Sequence, residues 1–248
     1  MLIIPAIDLL DGKCVRLYKG DYSKVTVYSD DPVSMARGFV ASGARRIHLV
    51  DLDAARGGAN NRSVIAKICR EVDALFELGG GIRTEDDVKE ILDIGIDRLI
   101  LGTVFAKDPD SGARWTAQYG NKFIAGIDAL NGEVKVSGWQ QGAKIEDTWL
   151  AKKAAECGMC SIIYTNIVKD GTLSGPDTER TLTVAEASGL PVTVSGGISC
   201  EQDFADIVNN PRCAGRIGGI ITGKGFYEKK FDLAAVISKY QKDEGIIF

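Results

Sequence analysis

Short apolar runs ending in Asp, Thr, Gly or Ser alternate along this chain with segments of helical period. The runs Leu2–Ile7, Arg46–Val50, Leu75–Leu78, Arg98–Leu101, Lys122–Ile127, Ser161–Tyr164, Pro191–Val194 and Ile217–Ile221 read as strands. They are nearly continuous in hydrophobicity rather than alternating, as strands of a parallel sheet buried on both faces are. Between them, Pro32–Ser42, Asn61–Glu71, Thr84–Ile94, Asp147–Glu156 and Cys200–Val208 read as helices. Thr84-Glu-Asp-Asp87 places a capping hydroxyl and acids where a helix start favours them. Eight βα units result.

The units fall into two copies. Ala6-Ile-Asp-Leu-Leu-Asp-Gly-Lys13 matches Gly126-Ile-Asp-Ala-Leu-Asn-Gly-Glu133, which aligns Asp8 with Asp128. Asp11-Gly12 and Asn131-Gly132 then lead into Cys14–Tyr18 and Val134–Ser137, so each reads as a hairpin in the loop after a strand. Leu78-Gly-Gly-Gly-Ile-Arg83 matches Val194-Ser-Gly-Gly-Ile-Ser199, and Leu101-Gly-Thr103 matches Thr222-Gly-Lys224. Two (βα)₄ halves, approximately 1–120 and 121–248, are expected to close into a single (βα)₈ TIM barrel, an α/β fold in one domain.

Composition narrows the function. A hydrophobic fraction of 45% suffices for a full core, and a net charge of −4 provides no basic field for nucleic acid. The start MLIIPAIDLLDGK has no positive leader, and no run of about 18 apolar residues follows, so an unexported, cytoplasmic protein without membrane association is expected. Six cysteines are too few for a disulfide scaffold; Cys157-Gly-Met-Cys160 has redox or zinc spacing but no second pair, and reads as buried thiols. The single histidine, His48, leaves little for a metal site or a histidine relay.

The chemistry is expected where barrel strands end. Gly80 and Gly81 with Gly102 and Thr103 form one candidate phosphate cradle; Gly196 and Gly197 with Gly223 and Lys224 form a second on the opposite rim. A small molecule with a phosphate at each end would span the mouth. Residues 218–225, GGIITGKG, nearly fit a P-loop, but Gly225 stands where the magnesium-binding hydroxyl belongs, so that reading is rejected. Asp8 and Asp128, ending opposed strands, can work as general base and general acid if their environments separate them. Without a metal, nucleotide or flavin motif, no cofactor is expected, and the reaction is one that proton transfers drive, such as an isomerisation. Thr165 can bind substrate or orient an acid, or simply end a strand; Asp170 is a site group or an Asp-Gly turn. Asp51 and Asp53 read as one loop cap and one inward-facing group, and His48 as core or ring-lining.

These residues carry a resemblance that covers nearly the whole chain. Ala6–Leu17 with Gly20-Asp-Tyr22, Val50-Asp-Leu-Asp53, Gly79–Arg83, Asp170-Gly-Thr-Leu-Ser-Gly175, Ser195-Gly-Gly197 and Gly223-Lys224 resemble the isomerases of histidine biosynthesis. Those enzymes act on phosphoribosylformimino-aminoimidazole-carboxamide ribotide. The resemblance implies an Amadori rearrangement of an aminoaldose to an aminoketose on a bisphosphate. It implies Asp8 as the base at the ribose C2′ and Asp128 as the acid at the ring oxygen. It further implies that Arg16 and Arg83 steady the substrate, that Thr165 and Asp170 line the site, and that Trp139 stacks on the aminoimidazole. Asn166, Leu130-Asn131 and Gly225-Phe226 depart from the commonest family pattern. Three alternatives remain: the homologous cyclase subunit that needs ammonia from a glutaminase, a dual-substrate enzyme also isomerising phosphoribosylanthranilate, and a non-catalytic phosphosugar-binding barrel. A monomer is expected.

Overall fold

A computed structural model describes residues 1–18, 20–139 and 141–242. Lys19, within the first-loop segment that carries part of the resemblance, and residues 243–248 of the second half lie outside them. The first half runs β1 (Leu2–Leu10), β2 (Lys13–Tyr18), β3 (Asp21–Ser29), α1 (Pro32–Ala41), β4 (Arg46–Asp51), α2 (Leu52–Arg56), α3 (Arg62–Glu71), β5 (Leu75–Gly79), α4 (Glu85–Asp93), β6 (Arg98–Leu101), α5 (Thr103–Lys107) and α6 (Pro109–Tyr119). The second runs β7 (Phe123–Leu130), β8 (Glu133–Val136), β9 (Gln141–Glu146), α7 (Asp147–Glu156), β10 (Ser161–Asn166), α8 (Thr178–Ser188), β11 (Val192–Ser195), α9 (Glu201–Asn209), β12 (Ile217–Thr222), α10 (Lys224–Tyr227) and α11 (Leu233–Tyr240).

Eight of these strands pair in parallel in the order β1-β4-β5-β6-β7-β10-β11-β12, and β12 returns to β1. The ring closes without an edge, the single (βα)₈ TIM barrel that the two-fold repeat predicts. Leu2, Ile4, Ala6, Ile100, Ile124, Ile163 and Ile221 fill its interior. The opposite strand faces and the helices share the larger core, around Ile7, Leu49, Phe76, Leu99, Phe123 and Val194. Among the described residues no helix is long and apolar enough to cross a membrane.

Helix starts follow from local chemistry. Thr84 caps α4 by accepting from the Asp87 N–H, while Asp87 reaches back to the Thr84 N–H, satisfying two orphan donors; such a cap contributes about 1 kcal/mol. β1 and β7 run beyond the barrel into hairpins at Asp11-Gly12 and Asn131-Gly132, whose φ angles are all positive, 49° and 75°, 52° and 83°. Each hairpin gains a third strand, β3 or β9, that no apolar run marks. β3 lies over the rim with Val25 and Val27 exposed.

Candidate active site

Both halves build the barrel mouth with the same devices. Strands end at glycine pairs, Gly80 and Gly81 with φ of 98° and 76°, Gly196 and Gly197 with 87° each. Space excludes a side chain as firmly as the angle does: a Cβ on Gly81 would strike Ala54, and one on Gly197 would strike the Gly175 carbonyl, 2.8 Å from its carbon. The next turn is tied back in each copy. Asp87 Oδ2 accepts from the N–H groups of Arg83 and Thr84, and Asp203 Oδ2 from those of Ser199 and Cys200. Gly102 and Gly223 precede α5 and α10, and no side chain caps either helix, so their first N–H groups have no side-chain acceptor.

The two cradles differ in charge. On one rim Thr103 Oγ1 accepts from the Ser137 N–H at 2.9 Å, tying the cradle to the second hairpin. At the equivalent place on the other rim Lys224 Nζ donates to the Gly171 carbonyl at 2.7 Å and lies 5.5 Å from the centre of the Tyr18 ring. Arg16 lies over this same cradle, its Cζ 2.6 Å from where a Cβ on Gly223 would stand. Arg83 is exposed, with Nη2 donating to the carbonyls of Ala54 and Ala55 at 2.8 and 3.1 Å. It therefore straps the loop after β4 to the first cradle.

Asp8 sits where β1 leaves the parallel ladder for the hairpin, opposite Val50 on one side and Val15 on the other. Arg16 Nη1 donates to its Oδ1 at 2.9 Å, and the carboxylate is 13% exposed. Asp128 occupies the same position on β7, four strands around the ring, beside Thr165. Its Oδ2 accepts the Trp139 Nε1–H at 2.9 Å, and Thr165 stands beside it in register on β10. Burial pushes the Asp8 carboxyl above the ordinary range, against the Arg16 guanidinium. Burial raises Asp128 too, opposed by the Trp139 hydrogen bond and by the neighbouring Thr165 hydroxyl. Asp170, in the loop after β10, adds negative charge to both, whereas His48 opposes it. The structure thus brings Asp8, Asp128, Asp170, Arg16, His48, Thr165 and Trp139 into one cluster, the two carboxylates differing in every direct partner.

Trp139 holds a positive φ of 69°, and its ring packs on Gly20, where a Cβ would lie 2.8 Å from it. The two hairpins therefore meet across the mouth. Asp51 and Asp53 differ from the expected division into a loop cap and an inward-facing group, because both bind loop backbone. Asp51 accepts from the Ala54 and Asn61 N–H groups, and Asp53 from the Asp11 N–H. Asn61, which sequence reading passes over, links them: its Nδ2 donates to both carboxylates and its Oδ1 accepts from Gly12 N–H. Asp147, fully buried, ties in the second hairpin by donating its N–H to the Gly132 carbonyl at 2.9 Å, while its carboxylate accepts from Tyr164 Oη and from Arg180 Nε, both at 2.9 Å. Cys157 and Cys160 lie against the carbonyls of Pro109 and Phe123, their thiols pushed up by burial.

A family model described as histidine biosynthesis protein matches residues 2–232. Among curated relatives, the 1-(5-phosphoribosyl)-5-((5-phosphoribosylamino)methylideneamino)imidazole-4-carboxamide isomerase of Magnetococcus marinus is 44% identical over 242 residues, 96% of this chain and 97% of that protein. The proteins of the same name from a Synechococcus and a Synechocystis species are 42% and 41% identical, each over 96% of this chain and 92% of their own length. With sequence matches that run almost end to end, the chain belongs to the histidine biosynthesis protein family.

Proposed function

We propose that this protein is an aldose–ketose isomerase of histidine biosynthesis, converting the aminoaldose bisphosphate named for its relatives into the aminoketose. One observation carries the reading: two half-buried carboxylates, Asp8 and Asp128, stand at equivalent positions on opposed strands with non-equivalent partners. A pair separated in this way by environment suits one group to give a proton while the other takes one.

The substrate lies across the mouth with a phosphate on each cradle, one at Gly80, Gly81, Gly102 and Thr103, the other at Gly196, Gly197, Gly223 and Lys224. Asp128 gives its proton to the furanose ring oxygen, the C1′–O bond breaks, and a protonated Schiff base remains at C1′. Asp8 removes the C2′ proton; the C–H electrons form the C1′–C2′ double bond and the C=N pair moves onto nitrogen. The enaminol then loses its hydroxyl proton and gains one at C1′, giving the ketone. Arg16 orients Asp8 and faces the second cradle, Thr165 and Trp139 hold Asp128, Asp170 and His48 line the space between, and Arg83 braces the first cradle. The protein works in the cytoplasm as a monomer without a cofactor.

The test is a steady-state assay of the purified protein with the aminoaldose bisphosphate, without ammonia, glutaminase or added metal. Turnover to the aminoketose supports the isomerase, and phosphoribosylanthranilate is the next substrate to try. Consumption of the aminoketose only when ammonia is supplied would replace it with the cyclase; silence on both substrates, with bisphosphate bound, would leave a binding barrel.

A further inference from the structure

Beneath the two carboxylates the barrel interior holds a charged set that the acid–base pair does not use. Ala6, His48, Glu77 and Arg98 form one rung across β1, β4, β5 and β6, each in register with the next. Glu77 is 1% exposed. Its Oε1 lies 2.8 Å from His48 Nδ1 and its Oε2 3.6 Å from Arg46 Nη1. An ion-paired carboxylate offers only acceptors, so the proton in the short contact belongs to Nδ1 and Nε2 is the ring atom left for other partners. His48 stands in register with Ala6, two residues before Asp8 on the same face of β1.

The fold does not demand this arrangement. In the second half the positions equivalent to Arg46, His48 and Glu77 are Ser161, Ile163 and Thr193, by the same registers that align Asp8 with Asp128. That rung closes an equally regular half-barrel without a charge. Burying an ion pair in an apolar interior is at best weakly stabilising, so packing alone gives little reason for Glu77.

We infer that Glu77 is a positioning residue that acts through His48, holding the ring as the Nδ1–H tautomer so that Nε2 meets a ribose hydroxyl between Asp8 and Asp128. The substrate-facing part rests on the isomerase reading; the Glu77–His48 part stands on geometry alone. The logic is that of any histidine oriented by a buried carboxylate, where losing the orienting group leaves the ring in place but wrongly presented.

Because the chain has one histidine, long-range ¹H–¹⁵N spectra of labelled protein report a single imidazole. At pH 8.5 we expect Nδ1–H in the wild type and in Glu77→Gln, whose amide oxygen still accepts, and loss of that tautomer in Glu77→Leu. Glu77→Thr, copying the equivalent rung, replaces the leucine variant if that one does not fold. Turnover should fall about 10- to 100-fold in kcat with little change in KM for the leucine or threonine variant, and recover mostly with glutamine. In a His48→Ala background the loss of Glu77 should add nothing further. A wild-type Nε2–H tautomer, an unchanged tautomer in the leucine and threonine variants, or additive losses would overturn the inference. Absence of wild-type turnover would instead overturn the isomerase reading and the substrate-facing part with it, while the spectra still decide the Glu77–His48 part.

Discussion

Replacing Gly197 by alanine tests whether the second cradle depends on close backbone approach or only on a glycine angle. At φ of 87° an alanine is strained by about 1–2 kcal/mol. Its Cβ would also strike the Gly175 carbonyl, 2.8 Å from the carbon and 3.2 Å from Lys169 Cβ. Overpacking against backbone that cannot rotate away adds about 1–3 kcal/mol, and the stiffer unfolded chain returns about 0.4–1 kcal/mol. The net loss is about 2–4 kcal/mol, a large share of the stability of an ordinary domain. Two other glycines separate the terms. Gly189 has a φ of 71° with nothing within 4 Å of its Cβ, so Gly189→Ala carries the angle alone, about 1 kcal/mol. Gly38, inside α1, has open space and an ordinary φ, so Gly38→Ala should stabilise by about 0.5–1 kcal/mol. Urea midpoints at unchanged slope give all three. The Gly175 N–H donates to the Gly197 carbonyl at 3.0 Å, so the clash should also shift the loop bearing Asp170 and lower kcat/KM by about 100-fold. Equal losses at Gly197 and Gly189, with activity intact, would refute the close-approach reasoning.

Asp8→Asn should reduce kcat by about 100- to 10,000-fold while affinity for a bisphosphate product analogue holds, because the amide keeps the shape and cannot take the proton; matching loss of binding, with chemistry intact at saturation, would sink the base assignment. The Asp128 carboxyl is raised by burial, so the folded chain holds its proton more tightly than the unfolded one, and stability falls as pH rises from about 4 through the folded value. Asp128→Asn should therefore melt above the wild type at pH 7–8, with the advantage shrinking toward pH 4; a lower melting point at neutral pH would contradict the burial argument. Trp139→Phe keeps a ring against Gly20 but removes the donor to Asp128 Oδ2, so the alkaline limb of the kcat/KM profile should move to higher pH. Movement to lower pH would show that the indole N–H does not favour the ionised carboxylate.

The barrel was legible in the sequence because parallel strands buried on both faces read as unbroken apolar runs. The Asp-Gly and Asn-Gly turns and the glycine pairs carry backbone requirements that few other residues meet. β3 and β9 were not legible: both lie over the rim with largely exposed faces, so burial imposes no pattern on them. Within the site, Asp8 and Asp128 stood out through the repeat, as did the cradle glycines. Glu77 did not, although a carboxylate inside an apolar strand was a signal in itself. Its bond to His48 spans 29 residues and exists only once β4 and β5 are in register. Asp147 and Arg180 are 33 residues apart, and Trp139 reaches Asp128 through a positive φ that tryptophan seldom adopts. Contacts of this kind follow from three-dimensional register, which local pattern does not encode.

The pseudo-two-fold mouth has a consequence for the direction of entry. A ligand with phosphate at both ends can enter such a mouth either way round, and the reversed ligand offers its ring oxygen to Asp8 and its C2′ to Asp128. Only the departures from symmetry distinguish the two orientations. Arg16 is answered by Val136 in the second copy, and Lys224 by Thr103 in the first, so two extra cations stand at one rim, while Arg83, answered by Ser199, is tied to the Ala54 and Ala55 carbonyls at the other. In the isomerase reading those two charges would act as the compass of the site. Neutralising them should populate a dead-end orientation, visible as a lower kcat that added substrate does not restore, because the reversed ligand competes for the same site.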